Sequence, residues 1–140
     1  MAAATSNSIF LRKLLRMGHA ACIVPAAPVY RGASFETEMV NQLLFGESVH
    51  VLASEAGFWQ IEGVADGYPG WVNSLQFTSI SEGEATETPN RVTDIPLSEL
   101  TTGAGIMRIP FGSLLRGFNN GQGRFGAFTY YYSGTPVHRT

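Results

Sequence analysis

The chain is poor in cysteine, in lysine and in charge overall, and each scarcity removes a class of protein. One cysteine, Cys22, rules out an intrachain disulfide framework. Charged residues make up only 14% of the chain and the formal net charge is −2, so nothing in the electrostatics calls for nucleic acid. The basic residues other than the lone Lys13 are arginines scattered from Arg12 to Arg139, with no basic stripe. No segment approaches the ~18 consecutive apolar residues of a membrane-spanning helix. No P-loop and no H-E-x-x-H motif occurs.

What is abundant is apolar and turn-forming. Apolar residues reach 44%, which is the composition of a folded globular chain. Sixteen glycines and seven prolines favour short strands joined by tight turns over long helices. The expected fold class is all-β: small barrels of short antiparallel strands, with a short N-terminal helix or arm.

Residues 1–19 form the expected arm. Phe10, Leu11, Leu14, Leu15 and Met17 share one helical face, opposite Arg12, Lys13 and Arg16. The segment is a poor signal peptide, because Arg12 and Lys13 interrupt Ile9-Phe10-Leu11 where an apolar core should continue. The compartment is left open. Residues 20–80 read as a first barrel. Ala21 to Val24 is a short apolar run stopped by Pro25 and Pro28, and Ser48 to Ser54 alternates. A turn at Glu55-Ala56-Gly57 then leads into a second alternating strand, Phe58 to Val64. Gly70 to Asn73 is a third strand, followed by a 3₁₀ turn near Leu75-Gln76-Phe77. Trp59 and Trp71 are the expected core anchors. Residues 81–96 are acidic, polar and without periodicity, and read as a linker.

Residues 97–140 read as a second, abbreviated domain, with strands over 105–115 and 124–132. Taken as one strand, 124–132 places Phe125, Thr129 and Tyr131 on one face and Phe128, Tyr130 and Tyr132 on the other. Aromatics on both faces call for cover on both sides. So short a domain cannot supply two cores, so one face should meet the first domain, a missing domain or a second copy of the chain.

Two motifs carry a resemblance. The first is E-x-x-x-Q-x-L-x-G-E (Glu38, Gln42, Leu44, Gly46, Glu47), into which an acidic helix-or-loop entry runs from Ser34. The second is the turn G-Y-P-G-W, Gly67 to Trp71. Together they resemble the first bacterial SH3-like (SH3b) domain of NlpC/p60 cell-wall cysteine peptidases of the γ-D-glutamyl-L-diamino acid endopeptidase type. A weaker likeness, I-P-x-G-S-x-L (Ile109, Pro110, Gly112, Ser113, Leu115), extends it to the second SH3-like domain of that family, so the resemblance implies two small SH3-like barrels in tandem.

The resemblance implies that Glu38 and Tyr68 are substrate-binding, holding the free α-amino group of the N-terminal L-alanine of peptidoglycan stem peptides. The chemistry is apt, since an ammonium needs a carboxylate and an aligned acceptor. Arg31, Glu36, Gln42 and Glu47 are supporting residues. Arg31 is a charge partner for a nearby carboxylate, Glu36 is an alternative acidic contact, and Gln42 and Glu47 support the fold.

Catalysis is not expected. The nucleophile motif D-C-S-G of that family is absent, and Cys22 sits in apolar A-A-C-I-V, a setting that raises a thiol pKa. His19 and Cys22 share an H-x-x-C spacing, but only His50 and His138 remain to complete a zinc site, so neither metal nor cofactor is expected. The chain therefore reads as the non-catalytic recognition region of a stem-peptide hydrolase, working with an NlpC/p60 catalytic domain in cis or trans. Two other readings stay open: a free-standing cell-wall peptide or glycan binding module, and a protein-interaction domain that forms homo-oligomers through 124–132.

Overall fold

The computed structural model describes residues 17–87, 89, 91–92, 97–134 and 137–138. The expected helix over residues 9–17 lies outside them apart from Met17, whose N–H donates to the Val51 carbonyl at 2.7 Å. The described chain is nearly all β. A first antiparallel sheet holds β1 (Gly18–Cys22), β2 (Ala26–Tyr30), β3 (Met39–Leu44), β4 (Ser48–Glu55), β5 (Phe58–Gly63), β6 (Pro69–Asn73) and β7 (Phe77–Ile80). Their spatial order is β3-β2-β6-β5-β4-β1-β7. A short helix, α1 (Glu82–Thr86), follows. After the two-residue β8 (Arg91–Val92) comes a second sheet of β9 (Leu97–Thr102), β10 (Gly105–Pro110), β11 (Gln122–Phe125) and β12 (Phe128–Tyr131), ordered β10-β9-β12-β11. β13 (Val137–His138) pairs back onto β8.

The turn between β4 and β5 follows from its residues. Ala56 and Gly57 both have positive φ, 51° and 83°, the conformation that lets a two-residue hairpin match the twist of its strands. One core cluster draws on all seven strands of the first sheet, including Cys22, Val29, Leu43, Val49, Ile61, Val72 and Phe77, so the sheet curls around it. Trp59 packs on that cluster from a partly buried position, whereas Trp71 is half-buried and outside it. The anchors are thus mostly aliphatic.

Two expectations need correcting and one is resolved. Pro28 does not end a run; it lies inside β2, opposite Gln42 of β3. β2 meets β6 only at Tyr30–Trp71, so one side of the strand near Pro28 carries no ladder and the missing N–H is tolerated. The acidic entry is a loop up to Glu38, and beyond it Met39–Leu44 is an edge strand with Leu43 in the core. Lastly, 124–132 is not one strand. The chain reverses at Gly126 (φ 57°), pairing Phe125 with Phe128 and Arg124 with Thr129. The reversal carries Phe125 and Tyr130 to the same interior, both fully buried, and leaves Tyr131 exposed.

That interior is shared between the sheets. Phe45, from the β3–β4 loop, is fully buried among Phe125, Phe128 and Tyr130, with ring centroids 5.5–5.7 Å apart. β1 is buried on both sides: Ala20 and Cys22 face the first core, and Ala21 faces the second. The aromatic face of the β11–β12 hairpin is therefore covered by the first sheet of the same chain.

Arg116 fastens the junction. It is only 5% exposed, and its guanidinium donates to the carbonyls of Gly46 (2.8 Å), Glu84 and Glu87. Its own carbonyl accepts the Tyr130 hydroxyl at 2.9 Å. Burial lowers the Arg116 pKa, opposed by the nearby charges of Glu87 and Glu84, and burial also raises the Tyr130 phenol. Gly46 is required here: its φ is 85°, and a Cβ would strike the Leu114 carbonyl.

The segment read as linker contributes too. Ser81 and Glu84 form a reciprocal capping box on α1, Ala85 is buried, and Glu84 Oε2 accepts the Gly126 N–H at 3.0 Å.

Candidate functional site

The edge formed by β2 and β3 positions the residues singled out by the sequence. The register of the two strands shifts between Val29 and Tyr30, which face Asn41 and Met39. Val40 is left as the extra residue of a bulge, a device that re-aims groups at sheet edges. The Val40 carbonyl accepts the Tyr68 hydroxyl at 3.0 Å. Tyr68 is held from its own side as well, its N–H donating to Asp66 Oδ1 at 3.0 Å. With its proton directed to Val40, the phenol oxygen presents lone pairs outward and serves as an acceptor.

Two residues before Val40, Glu38 pairs with Arg31. Both Arg31 Nε (3.1 Å) and Nη2 (2.7 Å) donate to one oxygen, Oε2. The backbones are joined as well, Arg31 N–H to Glu38 carbonyl at 2.8 Å. Both side chains are about two-thirds exposed, 68% and 66%, so the pair is open to a ligand. The intervening loop is built on Thr37, whose hydroxyl bonds Gly32 and Ser34. Phe35 stands 64% exposed on that loop, its ring meeting Tyr30 and Phe58 edge-on.

The remaining named residues lie apart. Glu36 is exposed and uses its backbone N–H on Ser34 Oγ. Arg31 thus separates the two acids that sequence left equivalent, pairing with Glu38. Gln42 is exposed on the edge strand. Glu47 Oε1 accepts the Leu44 N–H at 3.0 Å and helps shape the β3–β4 loop. It also lines a separate cleft of about 340 Å³ between the sheets, together with Asp66, Glu87 and Arg116.

Cys22 is fully buried, its thiol directed at the Val24 carbonyl (3.2 Å). Burial pushes its pKa up to about 12, and the charge of Glu47 adds to the rise. This is a structural thiol, not a nucleophile. Among the described residues, no group of three His, Cys, Asp or Glu side chains could hold a metal ion. Gly121, Gly123 and Gly126 spell a dinucleotide fingerprint, but they lie on the β11–β12 hairpin rather than between a strand and a helix. Gly123 instead makes room for the Tyr130 ring.

Sequence reasoning passed over Arg116 and the Ser81–Glu84 box. The S-x-x-E spacing was a usable signal for the second. A lone arginine in L-L-R-G-F offered none.

The curled antiparallel sheet thus carries a tyrosine and an ion pair along one edge. Residues 29–76 match the family model of the bacterial dipeptidyl-peptidase SH3 domain. The fold is similar to that of an NlpC/p60 family protein from Bacillus cereus, with a TM-score of 0.65 at 12% identity. That likeness covers 87% of this chain and 57% of the Bacillus protein, so the chain spans little more than half its relative's length. No curated protein matches. Residues 29–76 therefore resemble a bacterial SH3 domain, and the fold of the chain is like that of an NlpC/p60 family protein.

Proposed function

We propose that this chain is the non-catalytic recognition region of a peptidoglycan stem-peptide hydrolase, reading the free N-terminal amine of cell-wall peptides. Residues 20–80 and 97–140 are its two SH3-like units, joined through 81–96. Glu38 supplies the carboxylate and Tyr68 the second acceptor, on an open edge that a catalytic domain, in cis or in trans, would complete. The observation that carries this reading is the Tyr68–Val40 hydrogen bond. It turns a phenol, otherwise equally able to donate, into an acceptor suited to an ammonium.

Acylation of the peptide would remove the charge and leave Glu38 without a counterpart, so the site selects against capped N-termini. The burial of Cys22 and its raised pKa support a reading in which another domain does the cutting. The test is a pair of variants. Glu38→Gln should abolish binding of L-Ala-γ-D-Glu-diaminopimelate, while Glu36→Gln, two positions away, should retain it. Retention by Glu38→Gln would overturn the assignment.

A further inference from the structure

Gln122 and Arg124 of β11 and Thr129 and Tyr131 of β12 project from the face of the second sheet that turns away from the shared core. All four are exposed, whereas Gly123, Phe125 and Tyr130, which alternate with them, are buried. The strands pair Gln122 with Tyr131 and Arg124 with Thr129. Directly opposed side chains lie ~5 Å apart at Cβ and diagonal ones ~7–8 Å, so Arg124 and Tyr131 reach one ligand together. Beside β11 the preceding loop forms a low wall. Gly117 comes so close that a Cβ would strike the Arg124 carbonyl. Asn119 and Gln122 exchange backbone hydrogen bonds of 2.7 and 3.2 Å, closed by Asn120 and Gly121 at φ 52° and 81°. Together these residues line a groove of about 330 Å³, within the size range of small-molecule sites.

The polar groups of the groove are uncommitted. Tyr131 is 59% exposed, and its hydroxyl has no hydrogen-bond partner among the described residues. The Arg124 guanidinium is likewise unpaired among them, while Arg108 on the same face is paired with Glu99 at 3.4 Å. No carboxylate lines the groove among the described residues, so Arg124 gives it one uncompensated positive charge. Asn119 and Gln122 each add an amide that both donates and accepts.

We propose that this groove binds an acidic saccharide, a pyranose carrying one carboxylate. A pyranose has an apolar C–H face that an exposed tyrosine ring covers, and rim hydroxyls that side-chain amides satisfy as donor or acceptor. Its carboxylate matches the planar fork of Arg124. A single cation on a chain of net charge −2 does not suit a polyanion such as nucleic acid. Neither Glu38 nor Tyr68 lines this groove, so the proposal stands or falls apart from the amine-binding reading.

The test is an NMR titration of the full chain with three probes. They are N-acetylmuramic acid, N-acetylglucosamine, which lacks its lactyl carboxylate, and lactate, which lacks its sugar. Both sugars should shift Gln122, Arg124 and Tyr131. The acid should bind about fivefold or more tightly than the neutral sugar, a modest ratio because the ion pair is exposed. Lactate should bind most weakly. Arg124→Gln should bind the two sugars alike, and Tyr131→Ala should lose both. Urea midpoints of the two variants should match wild type, since both side chains are exposed. No shifts in the wild-type groove, a preference for the acid that survives in Arg124→Gln, or lactate binding as tightly as the sugar acid would overturn the proposal.

Discussion

Tyr68 donates its hydroxyl proton to the carbonyl of Val40 at 3.0 Å, across the mouth of a bulge that leaves Val40 without a register partner. The bulge and the tyrosine therefore act as one device. Tyr68→Phe keeps the ring and loses the oriented oxygen. It should weaken binding of free-amine peptide about three- to tenfold, with stability changing by about 1 kcal/mol or less, as for an exposed hydrogen bond. Titration and urea unfolding of the same variant separate the two effects.

Arg116 should matter for stability and not directly for recognition. Arg116→Met strips the donor from the carbonyls of Gly46, Glu84 and Glu87 at once. A loss of about 3 kcal/mol is expected, since buried acceptors left unsatisfied cost ~1–3 kcal/mol each and some will find water. Arg116→Lys should recover only part, because an ammonium lacks the planar fork. Chemical denaturation measures both.

Glu84 gives the fold a defined acid sensitivity. Its carboxyl is held below its ordinary range, chiefly by the Ser81 N–H and further by the Gly126 N–H, against an opposing effect of burial. A folded value below the unfolded one stabilises above the ordinary glutamate value of about 4.3, and the contribution is lost as pH falls through the folded value. Urea midpoints measured from pH 6 down to pH 3 should therefore fall more steeply for wild type than for Glu84→Gln. Parallel curves would show that Glu84 contributes nothing.

Cys22 should be chemically silent in the native state. With its thiol fully buried and its pKa pushed up to about 12, it should resist a thiol reagent at pH 8 that labels the urea-unfolded chain completely. Labelling of the folded protein at a comparable rate would contradict the packing described for β1.

The sequence was most legible where a two-residue period met a turn signal. Ser48–Ser54, Ala56-Gly57 and Phe58–Val64 became a hairpin because alternation and a glycine turn act locally. It was least legible where distant groups decide. Met39–Leu44 is a strand because β2 pairs with it, and Pro28 survives because its neighbour touches the strand only at Tyr30. The aromatic faces of 124–132 were misassigned because a Gly126-Ala127 turn inverts the alternation beyond it. The need of those aromatics for outside cover was nonetheless readable, and Phe45 meets it. At the site, the motifs pointed to Glu38 and Tyr68, while the Val40 bulge and the one-sided grip of Arg31 arise only from strand register and side-chain geometry.

The most direct measurement is an NMR titration of the chain with L-Ala-γ-D-Glu-diaminopimelate beside its N-acetylated form. The account predicts shifts at Glu38, Val40 and Tyr68 with the free amine and none there with the acetylated peptide. Equal shifts with both peptides, or shifts confined to residues away from the β2–β3 edge, would contradict it.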